Sequence, residues 1–538
     1  MKFTPAQQDA INATGGSVIV SAAAGSGKTR VLVQRVIKML TDSENPVPAD
    51  RLLIVTFTNA AAAEMKKRIN DEIEKLIKTN SNNSFLRRQQ ILLMNADICT
   101  IHSFCSRLIK ENFFMLDISQ DFRIAQDTEL AVIKFRIMSD IIEQKYAENS
   151  NAFALLSSIF SGAKSDVNLE KTLLDIYTKA VSHPDTEKWL DYAKELYNPD
   201  IPLEKTIFAK LAFESLDSSV KYFKMMLETA EKIIYANTAA FCTGKDSCGE
   251  NKYISLCSFT EKLETLAQSR NWNDISDFIS SYKKAPYRKP TSKKNPVSNE
   301  DAQNVRIAFD NIDNEIQNKL VPVFGISENV YLSDTQQVYP AVQSMCGIIK
   351  EFSAQFSQKK KEKGILDFSD LEHLALKLLK EPVSNNKTEL AKSISQKYDV
   401  IMIDEFQDTN EIQDTIFRYI SKNETNIFVV GDVKQSIYRF REAMPEIFKN
   451  KRDNSTLYNK NSPVFPAKII LDRNFRSREN VIDSVNFVFS SIMSKYVGEI
   501  EYNEHEKLTV GAVYPPSDFS DTEFHLLDTS CADSDKNE

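Results

Sequence analysis

The sequence predicts an α/β protein: a parallel sheet that carries a phosphate-binding loop and is interrupted by a long helical insertion. Three observations carry this expectation. Short β-branched runs alternate with helical patterns over residues 1–125. The alternation gives way to amphipathic helical periodicity over 126–363 and resumes from 364. A glycine-rich stretch, "SAAAGSGKT" (21–29), sits between a strand-like run and a helical one.

In order, "SVIV", "RLLIVTF" and "DICTIH" read as strands. Between them lie the helix after Lys28 and the alanine-rich "NAAAAEMKKRINDEIEKLIK". Within the insertion, "SYKKAPYRKPTSKKNP" (281–296) is basic and proline-bearing. It reads either as a solvated loop or as an arm that contacts phosphates. Further on, "YDVIMI" (398–403), "NIFVVG" (426–431) and "KIILD" (468–472) read as buried strands. The expected units are 1–125 and 364–465 as one α/β lobe, 126–363 as the insertion, and 466–538 as the start of a second lobe. The polar tail "DTSCADSDKNE" reads as frayed.

At 538 residues the chain exceeds what a single core organises. A net charge of -8 gives no global nucleic-acid footprint, which leaves room only for a local basic groove. Seven cysteines form no C-x-x-C pair and five histidines no H-x-x-x-H, so neither a disulfide scaffold nor a zinc site is expected. No signal-peptide pattern and no membrane-length apolar run is found. The expected setting is cytoplasmic.

The loop follows G-x-x-x-x-G-K-[ST] except that Ala22 stands at the first glycine. Residues Ala22, Ala23, Ala24, Gly25, Ser26, Gly27, Lys28 and Thr29 are expected to hold a nucleotide. The backbone N–H groups of Gly25 to Thr29 would point at the phosphates from a helix N-terminus. Lys28 would bridge the β- and γ-phosphates, and Thr29 would place its hydroxyl on Mg²⁺. "VIMIDEFQDT" (400–409) supplies the complementary carboxylates. Asp404 would hold Mg²⁺, through water or directly, and Glu405 would orient and deprotonate the attacking water. Taken singly, an acidic strand end, the aromatics of "IYRF" and a lone His102 read as ordinary strand-end and core features; their order and spacing as a set decide otherwise.

The set resembles superfamily 1 helicases of the UvrD/Rep type. "FTPAQQDAI" is similar to the Q motif, "TFTNAAAAEMKKRI" to motif Ia, "TIHSFCSRLI" to the following DNA-contact motif, "GDVKQSIYRFR" to motif III and "LDRNFRSRENV" to motif IV. "GILDFSDLEHLALKLL" resembles the segment that precedes motif II. The form of the loop, "VGDVKQSIYRFR" and "MLDISQDFRIAQDTEL" resemble the AddA (RecB-like) branch.

The resemblance implies a RecA-like lobe that uses ATP and Mg²⁺. Gln7 would read the adenine edge, and Phe475 would stack on it. Arg476 would reach the γ-phosphate, and Gln435 would couple that phosphate to DNA. Phe57, Tyr438 and Phe440 would stack on unpaired bases, with Thr58, Asn59, His102 and Ser103 on the phosphate backbone. The implied activity is 3′-to-5′ DNA translocation and unwinding in double-strand break repair and recombination, alongside the B partner of a helicase–nuclease heterodimer. No block like motif V or VI and no nuclease domain follows motif IV, so the chain reads as an N-terminal portion. An ATP- and single-strand-binding module without turnover is the alternative.

Overall fold

The computed structural model describes residues 3–79, 83–162, 165–242, 248–287, 297–494, 498, 500–515, 522–523 and 525. The polar tail 528–538 and residues 288–296 of the basic stretch lie outside them. The chain divides into two compact units: residues 1–135, 176–186 and 354–538, and residues 136–175 and 187–353.

The first unit is built on seven strands: β1 (Val18–Ala22), β2 (Leu52–Thr56), β3 (Asp97–Thr100), β4 (Val400–Ile403), β5 (Ile427–Gly431), β6 (Thr456–Leu457) and β7 (Ala467–Leu471). Their order across the sheet is β3-β2-β4-β5-β1-β7-β6, and every pairing is parallel. The run of β-branched residues in each central strand reflects burial on both faces. Val18, Val20, Ile54, Met402 and Val430 join one core; Ile19, Leu53, Val55, Ile403 and Val429 join the other.

Six helices position the site: α1 (Pro5–Asn12), α2 (Lys28–Thr41), α3 (Asn59–Thr79), α4 (Ile101–Glu111), α5 (Phe368–Leu379) and α6 (Glu411–Ile420). Each of α1, α4, α5 and α6 starts where a threonine, aspartate or asparagine side chain accepts an otherwise orphaned backbone N–H. In α1 and α5 the capping is reciprocal, through Gln7 and Asp370.

Two expected boundaries shift. "KIILD" does not open a separate lobe: Val18 to Ala22 pair with Ala467 to Leu471 in unbroken register, so β7 completes the first sheet. The helical unit is also narrower than 126–363, because 126–135, 176–186 and 354–363 cluster with the α/β unit. Within the α/β unit, Arg123–Ile124 pairs in parallel with Ile365–Leu366.

The second unit is helical. Its core is formed largely by Ile207–Ala236, Cys248–Ser269 and Asn299–Glu315 around Phe223, Leu263, Phe309 and Ile312. Lys252 and Asp313, each 1% exposed, form an ion pair of 2.6 Å there, and Tyr282 donates to the same carboxylate. Among the described residues no helix is long and apolar enough to cross a membrane.

Candidate nucleotide and nucleic-acid site

The functional loops leave the carboxyl ends of adjacent parallel strands, where open α/β sheets bind ligands. After β1 the chain turns through Gly25 (φ +68°) and Gly27 (φ +81°) into α2. A Cβ at Gly25 would stand 2.9 Å from the Asn474 side chain. Phe475 N–H donates to the Gly25 carbonyl at 2.9 Å, so the "RNFRS" turn is laid directly on the loop.

A cavity of about 420 Å³ opens here, lined by the loop from Gly25 to Thr29, by Arg30 and Arg68, and by Glu405, Gln435 and Arg476. Lys28, Arg30, Arg68 and Arg476 line it with Glu405 as the one carboxylate among the described lining residues, a donor set suited to a polyanion. Arg68 also pairs with Glu64, and Arg30 lies over the Phe3 ring. The Ser26 hydroxyl, 1% exposed, is buried without a hydrogen-bond partner. Arg30 and Arg68 were missed in the sequence because nothing local to α2 or α3 aims a side chain at a loop.

Five expected nucleotide contacts are not among the residues that line this cavity. Ala22 is fully buried at the end of β1, paired with Leu471, and its methyl belongs to the core. Ala23 donates its N–H to the Leu471 carbonyl at 2.9 Å, and neither it nor Ala24 lines the cavity. Gln7 spends its carboxamide on bracing the loop, accepting from Thr4 N–H and donating to the Ser26 carbonyl, both at 2.9 Å. The Phe475 ring lies against Gly511 rather than in the cavity.

Lys28 Nζ pairs with Glu405 Oε2 at 2.9 Å. Glu405 holds a left-handed backbone (φ 51°, ψ 43°), strain of the kind stored at functional sites. Burial and the neighbouring Glu405 push the Asp404 carboxyl up to about 6. Asp408 rises to about 6 for the same two reasons. The Thr29 hydroxyl and the Asp404 carboxylate are hard-oxygen donors of the kind Mg²⁺ takes. Thr29 lines the nucleotide cavity and Asp404 a second pocket that shares Glu405 with it; a cation at Asp404 would relieve its buried charge.

From Glu405 a hydrogen-bonded chain runs outward. The Gln407 amide donates to Glu405 Oε2 at 2.9 Å and to Asp408 Oδ2 at 3.2 Å, while its oxygen accepts Asp432 N–H at 3.0 Å. Asp432 Oδ2 accepts from the Gln435 amide at 2.7 Å. Gln407 and Asp432, 1% and 2% exposed, were not singled out from sequence. An amide two residues beyond a candidate general base was the available signal.

The expected stacking residues cluster. Phe57 and Tyr438 stack with centroids 4.5 Å apart, Phe440 lies 5.8 Å from Tyr438, and Arg441 sits over all three rings. Phe57, Thr58, Asn59, His102 and Ser103 line one open cleft of about 960 Å³. His102 does not stand alone: its Nε2 is 3.1 Å from Glu372 Oε1, and its ring lies 4.7 Å from that of Phe368. Glu372, 4% exposed, also accepts from Asn410 and Gln413, at 3.2 and 2.6 Å.

A parallel sheet with a glycine-turned loop at a helix start and a carboxylate pair at the end of β4, one strand removed from β1 across β5, defines a P-loop protein of the RecA-like class. A family profile described as "UvrD/REP helicase N-terminal domain" matches residues 3–456, and the chain belongs to that family. It is 38% identical over 545 residues to the A subunit of an ATP-dependent helicase/nuclease from Clostridium beijerinckii, covering 98% of this chain and 43% of that protein. Proteins of the same description from Clostridium botulinum and Clostridium perfringens are 36% and 38% identical; each match covers 98% of this chain, and 43% and 41% of the relatives. The chain thus spans roughly two-fifths of the length of these relatives.

Proposed function

We propose that the chain is the ATP-binding N-terminal part of a 3′-to-5′ DNA helicase, acting in the cytoplasm as the A member of a helicase–nuclease pair in double-strand break repair and recombination. The observation that carries this reading is the bridge Lys28–Glu405–Gln407–Asp432–Gln435. It joins the phosphate loop to the strand-end segment that bears Tyr438, beside Phe57.

Lys28, Arg30, Arg68 and Arg476 would bind the triphosphate by charge, and Thr29 with Asp404 would hold Mg²⁺. The ion supplies charge neutralisation at the phosphates when bound. Lys28, drawn from Glu405 to a phosphate, leaves that carboxylate free to take a proton from water. Because one Gln407 amide serves both Glu405 and Asp432, a change at Glu405 alters the hold on Asp432 and so on Gln435. Ser436, adjacent to Gln435, donates to Asp408 at 3.3 Å, which gives the same signal a second route toward Tyr438.

The test measures nucleotide binding and hydrolysis side by side, with and without single-stranded DNA, for wild type and Lys28→Ala. DNA-stimulated turnover that disappears with Lys28 is expected. Nucleotide and DNA binding without any Lys28-dependent turnover would instead select the reading of a binding module.

A further inference from the structure

Beyond Ser103 the open cleft continues along α4, through the rest of the "TIHSFCSRLI" block and past it to Lys110 and Phe113. The buried side of this helix is Ile101, Phe104, Cys105, Leu108 and Ile109, all in the core of the α/β unit. Its opposite stripe, His102, Ser103, Ser106, Arg107 and Lys110, lines the cleft throughout. The stripe follows helical spacing and extends about 12 Å from His102 to Lys110 at about 1.5 Å per residue.

The chemistry of the stripe is that of a strand-binding track. Two hydroxyls and two basic side chains stand against Glu111, the one carboxylate among the described lining residues. The Arg107 guanidinium is oriented by Asp97 at 2.7 Å, and the Lys110 ammonium lies 5.4 Å from the Phe122 ring centroid. Beyond Lys110, Phe113 lines the far end of the cleft. Aromatic faces therefore stand at both ends, Phe57 and Phe368 near β2 and Phe113 beyond α4, with phosphate-seeking groups between them.

We propose that Lys110 and Phe113, which continue the cleft past the "TIHSFCSRLI" block, form an additional single-strand subsite that carries the phosphate backbone beyond the first contacts and stacks one more base on Phe113. The subsite rests on the DNA-binding reading given above and deepens it. Its occupant is unpaired nucleic acid, because a groove with isolated aromatic faces admits splayed bases.

The test is equilibrium binding of oligothymidylates of increasing length to wild type, Lys110→Gln and Phe113→Ala, each at several salt concentrations. Lys110→Gln is expected to lower the salt slope by about 0.7 and weaken long-oligomer binding about threefold. Phe113→Ala is expected to weaken the same oligomers about fivefold or more with the slope unchanged, since stacking releases no counterions. Short oligomers that reach only the Phe57 end should bind all three proteins alike. If wild type binds long oligomers and both variants match it in affinity and slope, the subsite is overturned while the broader reading stands. If wild type binds no single strand at all, the broader reading fails and the subsite fails with it.

Discussion

Lys28 Nζ stands 2.9 Å from Glu405 Oε2, so the loop lysine and the strand-end glutamate neutralise each other across the nucleotide cavity. The pair separates two roles that mutation can read independently. Lys28→Ala removes a charge-assisted phosphate contact and should weaken nucleotide binding about tenfold or more. Glu405→Gln keeps the shape and a hydrogen-bond acceptor for Lys28, so nucleotide should still bind. Phosphate release should then fall by about 10²–10⁴, the usual worth of a general base. Fluorescent-nucleotide titration beside a phosphate-release assay distinguishes them; equal loss of binding in both variants would refute the division.

Gln407 is the joint between the two halves of the bridge. Gln407→Ala leaves the Asp432 N–H buried without its acceptor, at a cost of about 1–3 kcal/mol. The sharper expectation is kinetic: hydrolysis without DNA should persist while stimulation by single-stranded DNA collapses. The ratio of the two rates is the measurement. A stimulation ratio equal to wild type in the folded variant would show that coupling travels another way.

The loop glycines and Ala22 give opposite expectations. Gly25 has φ +68° and a would-be Cβ 2.9 Å from Asn474, so Gly25→Ala should cost about 1–2 kcal/mol and disturb nucleotide binding. Ala22→Gly restores the consensus glycine yet removes a methyl from the core. It should cost about 0.5–1 kcal/mol of stability and leave nucleotide affinity unchanged. Thermal melts and nucleotide titrations of the pair settle both points, and tighter nucleotide binding by Ala22→Gly would count against Ala22 as a purely structural residue.

What was legible in the sequence, and what was not, follows from how far each feature reaches along the chain. The central strands were readable because burial on both faces leaves a dense β-branched signature within five residues, as in "VIVSA". That Lys28, Thr29 and Glu405 would meet at one cavity was readable because strand, turn and helix fix their geometry locally. The sheet to which Ala467–Leu471 belongs was not, since a buried strand carries no mark of its neighbours. The Glu372 partnership with His102 spans 270 residues, and Gln407 meets Asp432 only because β4 and β5 lie side by side. Ala22 was misplaced for a subtler reason: the motif pattern counts it as loop, whereas the strand ladder runs one residue further than the pattern implies.

Asp404 makes stability depend on pH in a stated direction. Its carboxyl is raised to about 6 from 3.8, so between those values the folded protein holds more protons than the unfolded chain. Its contribution is therefore full below about 3.8 and is lost as pH rises through about 6. At neutral pH the buried charge costs on the order of 3 kcal/mol. Asp404→Asn should accordingly be more stable than wild type at pH 8, and the advantage should vanish near pH 4. Denaturant midpoints across that range test it, and a pH-independent difference would place the burden on another group.

The closed stack of Phe57 on Tyr438, 4.5 Å between centroids, makes the last expectation. Two rings at that separation leave no room for a base between them, so a base engages either an outer face or a slot that opens. Phe440, 73% exposed, and the Arg441 guanidinium extend the aromatic surface on the solvent side. Tyr438→Ala removes one face and one hinge of any slot, and base stacking is worth about 1–3 kcal/mol per base. Single-strand affinity should therefore fall at least about fivefold, while nucleotide affinity without DNA stays at the wild-type value, because Tyr438 lines no part of the nucleotide cavity. An oligomer carrying a fluorescent base analogue reports the contact directly. Its emission should be quenched on binding to wild type and recover in Tyr438→Ala, and undiminished quenching in the variant would move the stacking contact to other rings.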